Sequence, residues 1–164
     1  TVEYRVGPET RDAARTTPEA TEVQQMFREM VDLGSQACVM EVSSHALAQR
    51  RVDGTRFAAG VFTNLTRDHL DFHGDMDSYF IAKRRLFEML PKGAPAIVNV
   101  DDKRGDSLVA MTPSALTYAI DRPASVTPGP VSPSLQGQSF DARTPAGTVR
   151  GPLAPSSTSH RVRG

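Results

Sequence analysis

One lysine lies within the apolar face of a predicted helix, where its amine could react. The spacing of Tyr79, Phe87 and Leu90 predicts a helix over residues 78–90 with one buried face, and Lys83 falls on that face. Partial burial favours the neutral form of a lysine amine. A neutral amine can add to carbon dioxide, which gives an anionic carbamate able to lie beside a metal ion. The alternative is a lysine whose stem packs while its ammonium reaches water, and the residues alone favour this alternative.

Polar side chains follow three predicted strands at their carboxyl ends. Because ligands of an open parallel sheet bind beyond these ends, we expect the polar side chains to share one edge of the sheet. Carboxylates, amides and imidazoles together favour a site for a cation with an anionic ligand. The residues concerned are Glu41, Ser43, Ser44, His45, Thr63, Asn64, Asp68, His69, Asn99, Asp101 and Asp102.

Several of these residues also have a purely structural explanation. Glu41 has the position of a carboxylate at the start of a helix. His69 and His73 have the spacing of a zinc pair on a helix, but the many aspartates around them argue against a helix, and no third ligand is apparent. Asp75 or Asp77 is predicted to cap the next helix rather than to bind calcium.

The elements that position these residues alternate between helices and strands. Residues 16–34 have the pattern of an amphipathic helix, with Thr17 as the predicted N-cap and Gly34 as the stop. Residues 37–42 form an apolar run typical of a strand buried on both faces. The alternation predicts an α/β fold with a mostly parallel sheet flanked by helices. The later elements are a short helix at 43–51, strands at 56–65, 96–100 and 115–120, a polar loop at 66–77, and helices at 78–90 and 101–111.

The C-terminal part of the chain has a different composition. Residues 121–138 are rich in Pro, Ser and Gly and are predicted to be a loop, and 139–150 are predicted to be a hairpin turning at Pro145–Gly147. We expect one partial domain over 1–120, to which 121–150 also belong, and a disordered, atypical tail at 151–164. Both ends of the chain suggest a piece of something longer.

Composition excludes several classes of protein. The chain has 164 residues, enough for one domain with a core, and its 19 basic and 19 acidic residues argue against binding to nucleic acid or an acidic membrane surface. It contains neither an apolar run near the roughly 20 residues of a membrane span nor a signal-peptide core, so a cytoplasmic protein without a membrane span is expected. Cys38 is the single cysteine, and its apolar neighbours predict a packed thiol.

Several spaced motifs closely resemble the central domain of the Mur ligases, in particular those of the tripeptide-synthetase (MurE) type. The resemblance covers roughly residues 1–102, and FDARTPAGTVR is similar to a later hairpin of that domain. It implies an incomplete Mur ligase central domain of α/β fold. The motifs are TTPEA, EVSSHAL, FTNLTRDHLDFHG, YFIAK and VNVDD.

The resemblance implies an ATP-dependent, amide-forming ligase of peptidoglycan biosynthesis. In this family ATP phosphorylates the carboxylate of a UDP-muramoyl peptide, here UDP-MurNAc-L-Ala-D-Glu, to give an acyl phosphate. The amine of a diamino acid, meso-diaminopimelate or L-lysine, then displaces the phosphate. Mg²⁺ and positive groups hold the mutually repelling carboxylate and triphosphate in line.

The resemblance also implies roles for individual residues. Lys83 matches a lysine that is carbamylated in the family, and Glu41 and His69 match its metal-site residues, so these three are expected to place Mg²⁺. Asn99 resembles the asparagine on the adenine side of ATP. Contacts to the muramoyl dipeptide are implied for Thr16, Thr17, Ser43, Gln49 and Arg51.

Two departures from the family limit what the chain itself is expected to do. No G-x-x-G-K-[ST] phosphate loop occurs in the chain, and in the family this loop would lie just before residue 1. The sequence after Arg150 does not resemble the sequence that follows at this point in the family. A frameshift or a broken gene would explain this difference. We therefore expect no ligase activity from these residues alone and an open sheet edge or groove.

Two other functions stay open from the sequence. The first is a non-catalytic remnant that at most binds a UDP-muramoyl peptide or a partner protein. The second is a free-standing metal hydrolase using Glu41, His69 and His73, for which tightly bound zinc would be the discriminating observation.

Overall fold

The structure, a computed structural model, describes residues 3–134 and 137–153. The chain divides into two compact units, Thr1–Ala96 and Ile97–Gly164, and each contains both helix and strand. Within the described residues, no helix has the length and apolar character needed to cross a membrane.

The first unit begins with a hairpin and a long helix. Strand β1 (Glu3–Val6) pairs antiparallel with β2 (Glu9–Asp12), and helix α1 covers Ala20–Asp32. The predicted N-cap, Thr17, is wrong: Glu19 caps α1 and forms a reciprocal capping box with Glu22. These two carboxylates satisfy amides of the first turn, so the Thr17 hydroxyl is available for other partners.

The end of α1 is as predicted. Gly34 follows the helix in the left-handed region, with φ of +80°, and its amide donates to the carbonyl of Val31 at 2.9 Å. The Ser35 amide donates to the carbonyl of Met30 at 2.8 Å. These two bonds satisfy carbonyls that the last turn of a helix leaves without partners.

Residues 37–42, hereafter the apolar segment, do not form the predicted strand. No strand of the described residues includes them, and the Val39 side chain is 100% exposed. Cys38 is exposed as well, so the predicted packed thiol is also wrong. A run buried on both faces needs a hydrogen-bonded strand on each side, and composition alone does not supply these neighbours.

The rest of the first unit contains three helices and one strand. Helix α2 covers Ser44–Ala48, strand β3 covers Gly60–Phe62, helix α3 covers Leu70–His73 and helix α4 covers Met76–Glu88. The predictions of α2 and α4 are confirmed, and β3 is shorter than the strand predicted at 56–65. The buried apolar residues of this unit are Val6, Val23, Ala46, Leu47, Val52, Phe62, Tyr79, Phe80, Phe87 and Ala96.

Helix α3 is one turn within the stretch predicted to be a polar loop. His69 precedes it in the left-handed region, with φ of +55°, and Gly74 ends it with φ of +81°. A single turn bounded by two left-handed residues has no periodicity to detect. The next cap is as predicted, because a carboxylate oxygen of Asp75 accepts from the Ser78 amide at 2.7 Å and this bond lowers the pKa of Asp75.

The second unit opens with a βαβ segment that confirms three predicted elements. Strand β4 (Ala96–Asn99) pairs parallel with β5 (Leu116–Tyr118), and helix α5 (Lys103–Met111) connects them. Asp102 caps α5 by accepting from the Arg104 amide at 2.8 Å. The buried apolar residues of the second unit are Val98, Val100, Leu108 and Ala119. The predicted α/β class is confirmed.

Three antiparallel strands follow, and one of them replaces a predicted loop. Strand β6 (Thr127–Ser134) pairs with β7 (Gly137–Thr144), which pairs with β8 (Gly147–Leu153). The loop predicted over 121–138 agrees with residues 121–126, which belong to no helix or named strand, but it is wrong over 127–134. There β6 is an edge strand with a register shift between Pro128 and Val131, where prolines are tolerated. The hairpin prediction is confirmed, with Thr144 opposite Gly147. Strand β8 includes 151–153 of the predicted tail, and 154–164 lie outside the described residues.

Candidate functional site

A cavity of about 950 Å³ in the first unit contains most of the predicted site residues on its walls. Its lining comes from α1, the apolar segment, α2, β3 and α4. The site residues among the lining are Thr16, Glu41, Ser43, His69 and Lys83. Residues from four separate stretches of sequence are therefore brought to one place.

The Thr17 hydroxyl holds the backbone that presents Glu41. Thr17 is 1% exposed, and its Oγ1 donates to the carbonyl of Glu41 and accepts from the amide of Ser43, both at 2.9 Å. Ser43 in turn caps α2, because its Oγ accepts from the Ala46 amide at 3.1 Å. Thr17 thus fixes the turn between the apolar segment and α2.

Arg51 joins the other predicted substrate-binding residues to this turn. Its Nη1 donates to the carbonyl of Thr17 at 3.1 Å, and its Nη2 contacts the side chains of Gln49 and Glu19. The Arg51 side chain is 13% exposed, and its Nε is buried without a hydrogen-bond partner in the described part of the chain. Thr17, Ser43, Gln49 and Arg51 form one connected group around α2 and the segment that precedes α1.

Replacing Thr17 by valine should destabilise the protein by about 1–3 kcal/mol, because the Glu41 carbonyl and the Ser43 amide each lose a buried partner. Chemical denaturation measures the change in the free energy of unfolding. Thr17→Ser keeps the hydroxyl and should lose much less. Equal losses in the two variants would contradict the importance of these hydrogen bonds.

Three histidines and two aromatic rings pack together beside the cavity. The ring centroid of His45 lies 4.8 Å from that of His69 and 4.2 Å from that of Phe72. His73 stacks on Tyr79 with 5.1 Å between ring centroids and 20° between planes. This cluster joins α2, α3 and α4.

Lys83 lies next to this cluster, one helical turn after Tyr79. Its Nζ lies 5.4 Å from the centroid of the Tyr79 ring, within the range of a cation–π interaction. Helix α4 is also held by an ion pair, in which Arg85 Nη2 donates to both carboxylate oxygens of Asp53 at 2.8 and 2.7 Å. Tyr79 and Arg85 therefore orient the helix that presents Lys83 to the cavity.

The surroundings of His73 favour its neutral form. Its Nε2 hydrogen-bonds to the buried Oγ of Ser44 at 2.9 Å. Burial lowers the pKa of His73, and the nearby His45, His69 and Lys83 act in the same direction, whereas Asp71 opposes them. Protonation of His73 is therefore disfavoured in the folded state.

Stability should therefore fall on acidification. The unfolded chain takes up a proton on His73 near pH 6.5, and the folded protein does so only at lower pH, so stability is complete above about pH 6.5 and is lost as the pH falls through the folded-state pKa. Melting temperatures at pH 7.5 and 5.5 measure the loss. His73→Gln retains a hydrogen-bonding side chain and should reduce the difference, and an unchanged difference would exclude His73 as its source.

The zinc-hydrolase hypothesis is not supported by the geometry. Among the described residues, no group of three or more His, Cys, Asp or Glu side chains is arranged to hold a metal ion. Glu41, His69 and His73 therefore do not make the three-ligand site that zinc catalysis requires.

Four predicted site residues are not among those that line the cavity: Thr17, Gln49, Arg51 and Asn99. Gln49 is exposed at the end of α2 and accepts from Arg51. Asn99 belongs to the second unit, at the end of β4, where its Oδ1 accepts from the Asp101 amide at 3.0 Å.

The sequence analysis did not identify Phe72 as a neighbour of the site. Ser44 was among the polar residues expected at the sheet edge, and Tyr79, four residues before Lys83, was placed on the same helix face. Phe72 had no comparable signal, because its contact with the His45 ring joins α3 to α2.

Comparison with known proteins finds a matching family model and several similar ligases. The family model described as "Mur ligase middle domain" matches residues 1–154. The UDP-N-acetylmuramoyl-L-alanyl-D-glutamate--2,6-diaminopimelate ligase of Geobacter metallireducens is 49% identical over 158 residues, covering 91% of this chain and 30% of that protein. The protein of the same name from Gloeobacter violaceus is 50% identical over 120 residues, covering 73% of this chain and 24% of its own length.

Solved structures agree with these sequence matches. A structure of UDP-N-acetylmuramoyl-L-alanyl-D-glutamate--2,6-diaminopimelate ligase superimposes with a TM-score of 0.73 at 27% identity, covering 90% of this chain and 32% of that one. The MurF ligase from Thermotoga maritima in complex with ADP has a TM-score of 0.53 at 12% identity over 76% of this chain and 30% of its own, which supports the fold alone. The chain spans about a third of the length of these relatives or less.

Proposed function

The chain belongs to the Mur ligase family through its match to the middle domain, and on this premise we propose that it serves an ATP-dependent ligase of peptidoglycan biosynthesis. The reaction would join a diamino acid to UDP-MurNAc-L-Ala-D-Glu through an acyl phosphate, in the cytoplasm. The diamino acid would be 2,6-diaminopimelate, the one in the names of the similar ligases, rather than L-lysine.

The observation that supports this proposal best is the common cavity of Glu41, His69 and Lys83. These residues come from the end of the apolar segment, the start of α3 and the middle of α4. A ligase of this type must neutralise a carboxylate and a triphosphate at one place, and an acidic residue that faces the same cavity as an imidazole and an amine could hold a divalent cation for that purpose.

The side chains available at the cavity suit Mg²⁺, which is held partly by water and substrate, better than a metal ion that is held by protein side chains alone. Mg²⁺ keeps several waters and binds through one or two carboxylates together with substrate phosphates. Glu41 supplies one carboxylate and Lys83 would supply a second after carbamylation, in which its nitrogen bonds to the carbon of CO₂ and releases a proton to solvent. When bound, Mg²⁺ would neutralise charge on the phosphates of ATP.

The connected group of Thr17, Ser43, Gln49 and Arg51 would hold the muramoyl dipeptide. Thr16 and Ser43 line the cavity, and the Thr17 hydroxyl keeps Ser43 and Glu41 in a fixed relation. Arg51, with its planar guanidinium, suits a carboxylate or phosphate of the substrate. In the second unit, Asn99 would contact the adenine side of ATP.

A polypeptide of these 164 residues should have no ligase activity by itself. It contains no G-x-x-G-K-[ST] sequence, whose lysine and backbone amides would hold the β- and γ-phosphates. It would act at most as a module that binds the UDP-muramoyl peptide, which is the alternative function.

A chimera tests the proposal. Residues 1–154 would replace the matched region of the Geobacter metallireducens ligase, with which the chain shares 49% identity. Phosphate release that requires both UDP-MurNAc-L-Ala-D-Glu and diaminopimelate is expected from the chimera and not from the 164-residue chain. A folded chimera that binds the muramoyl peptide without turnover would favour the binding module, and turnover by the chain alone would contradict the predicted inactivity.

A further inference from the structure

We propose that four rings beside the cavity form a positioning unit for the proposed cation site. The unit, hereafter the ring cycle, consists of His45, His69, His73 and Tyr79. It would hold the His69 imidazole and the Lys83 side chain at a fixed separation and so raise the affinity of the site for a divalent cation. The inference rests on the proposed function, because it takes His69 and Lys83 as residues of that site.

The four rings contact one another in a closed circuit. The centroid distances are 4.8 Å from His45 to His69, 5.9 Å from His69 to Tyr79, 5.1 Å from Tyr79 to His73 and 5.5 Å from His73 to His45. Aromatic rings at such distances attract one another in stacked or edge-to-face arrangements. Because every ring contacts two others, rotation of one ring would disturb both of its neighbours.

Tyr79 is the ring that links the two residues of the site. It lies nearly perpendicular to the His69 imidazole, at 86°, and the Nζ of Lys83 lies 5.4 Å from its centroid. Tyr79 itself is 5% exposed, so its position is fixed by packing. One buried ring thus borders a residue at the start of α3 and a residue in the middle of α4, and it sets their separation.

The His69 imidazole needs contacts that hold it in place. Its backbone is in the left-handed region, which is disfavoured for residues with a Cβ, and the Asp68 carboxylate accepts from its amide at 2.8 Å. Its side chain is 42% exposed, and a partly exposed side chain exchanges between rotamers unless neighbours restrict it. His45 and Tyr79 supply these neighbours. Disfavoured backbone conformations of this kind concentrate at functional sites.

A buried hydrogen bond anchors the ring cycle to α2. Ser44 is 2% exposed, and its Oγ lies 2.9 Å from the Nε2 of His73. His73 in turn stacks on Tyr79, so the anchor reaches the ring that borders Lys83. Leucine or phenylalanine would fill this space without a ring nitrogen that needs a partner, so packing alone does not explain three imidazoles.

Mn²⁺ binding to the chimeric ligase tests the proposal without turnover. Electron paramagnetic resonance measures free Mn²⁺ in the presence of AMPPCP, a non-hydrolysable ATP analogue, and the ion of interest is the one that Glu41→Gln removes. Tyr79→Leu should weaken the binding of this ion by about tenfold or more, the usual cost of removing a group that orients a metal ligand.

Phe80→Leu is the matched control. Phe80 is also 5% exposed on α4, but it is outside the ring cycle and is not among the residues that line the cavity. It should lower the Tm about as much as Tyr79→Leu and leave Mn²⁺ binding unchanged. Tyr79→Phe keeps the ring and should bind Mn²⁺ as tightly as the parent chimera.

Ser44→Ala provides a second test that keeps all four rings. It removes only the hydroxyl that holds His73, and it should weaken Mn²⁺ binding by about threefold or more, as the loss of one hydrogen bond predicts. This variant answers the question even if Tyr79→Leu does not fold.

The outcomes separate this inference from the proposed function. Equal weakening of Mn²⁺ binding by Tyr79→Leu and Phe80→Leu would overturn the inference, because the effect would then come from general loss of packing. Unchanged binding in Tyr79→Leu or in Ser44→Ala would overturn it as well, while the proposed cation site would stand. A parent chimera without any Mn²⁺ ion that depends on Glu41 would contradict the proposed cation site itself and the inference with it.

Discussion

Replacing Lys83 by alanine is expected to lower the kcat of the chimeric ligase by about 100- to 1,000-fold, the usual cost of removing one preorganised electrostatic group. The proposed carbamate would be lost, and with it the second carboxylate that would help to place Mg²⁺ beside Glu41. The contact of Nζ with the Tyr79 ring would be lost as well. Steady-state phosphate release measures the change.

Lys83→Arg separates these two contributions. Arginine keeps a cation that can lie over Tyr79 but does not form the carbamate, so this variant should lose activity nearly as severely as the alanine variant. Lys92→Ala, at an exposed lysine, is the control and should retain activity. In ¹³C-bicarbonate the parent should give a carbamate signal that the arginine variant lacks. Full activity of Lys83→Arg would show that the lysine serves only as a packed cation.

Replacing Gly105 by alanine should destabilise the second unit by about 1–3 kcal/mol or more, although alanine is the better helix former. An added Cβ would lie far inside van der Waals contact with the carbonyl oxygen of Asn99 and against the backbone of Val100. Backbone atoms do not move aside as flexible side chains do, so α5 and β4 would have to separate. Thermal unfolding followed by circular dichroism measures the effect.

Ser107→Ala on the same helix is the matched control, because Ser107 is exposed and the change brings a similar gain in helix propensity. It should leave the Tm unchanged or slightly higher. In the chimera, Gly105→Ala should also weaken ATP binding, because it displaces Asn99. An unchanged Tm for Gly105→Ala would contradict the close approach of α5 to β4.

The sequence predicted best the elements whose signals are local. Helices α1 and α4 have long apolar stripes, and the β7–β8 hairpin has a recognisable turn. The predictions of a strand at the apolar segment and of a loop at β6 were wrong for one reason. Whether an extended stretch becomes a strand depends on a partner elsewhere in the chain. The segment has strand composition without a described strand beside it, whereas β6 has loop composition but pairs with β7.

For the candidate site as well, features with local signals were predicted and contacts between distant elements were not. The prediction that polar residues after three strands share one edge holds only in part, because Glu41 and His69 line one cavity whereas Asn99, Asp101 and Asp102 do not line it. The inward hydroxyl of Thr17 and the stacking of His73 on Tyr79 were not predicted, because both are contacts between distant elements. The roles of the site residues in binding and catalysis stay predictions.

The exposed apolar segment also affects the tendency of the protein to aggregate at high concentration. The uncharged run that precedes Glu41 in this segment, in which Cys38 and Val39 are open to solvent, favours pairing between identical chains and aggregation. In a cell, chaperones and proteases continuously remove chains that display such stretches. The yield and lifetime of any polypeptide with these residues should therefore be set by how well the segment is covered rather than by the packing of its two cores.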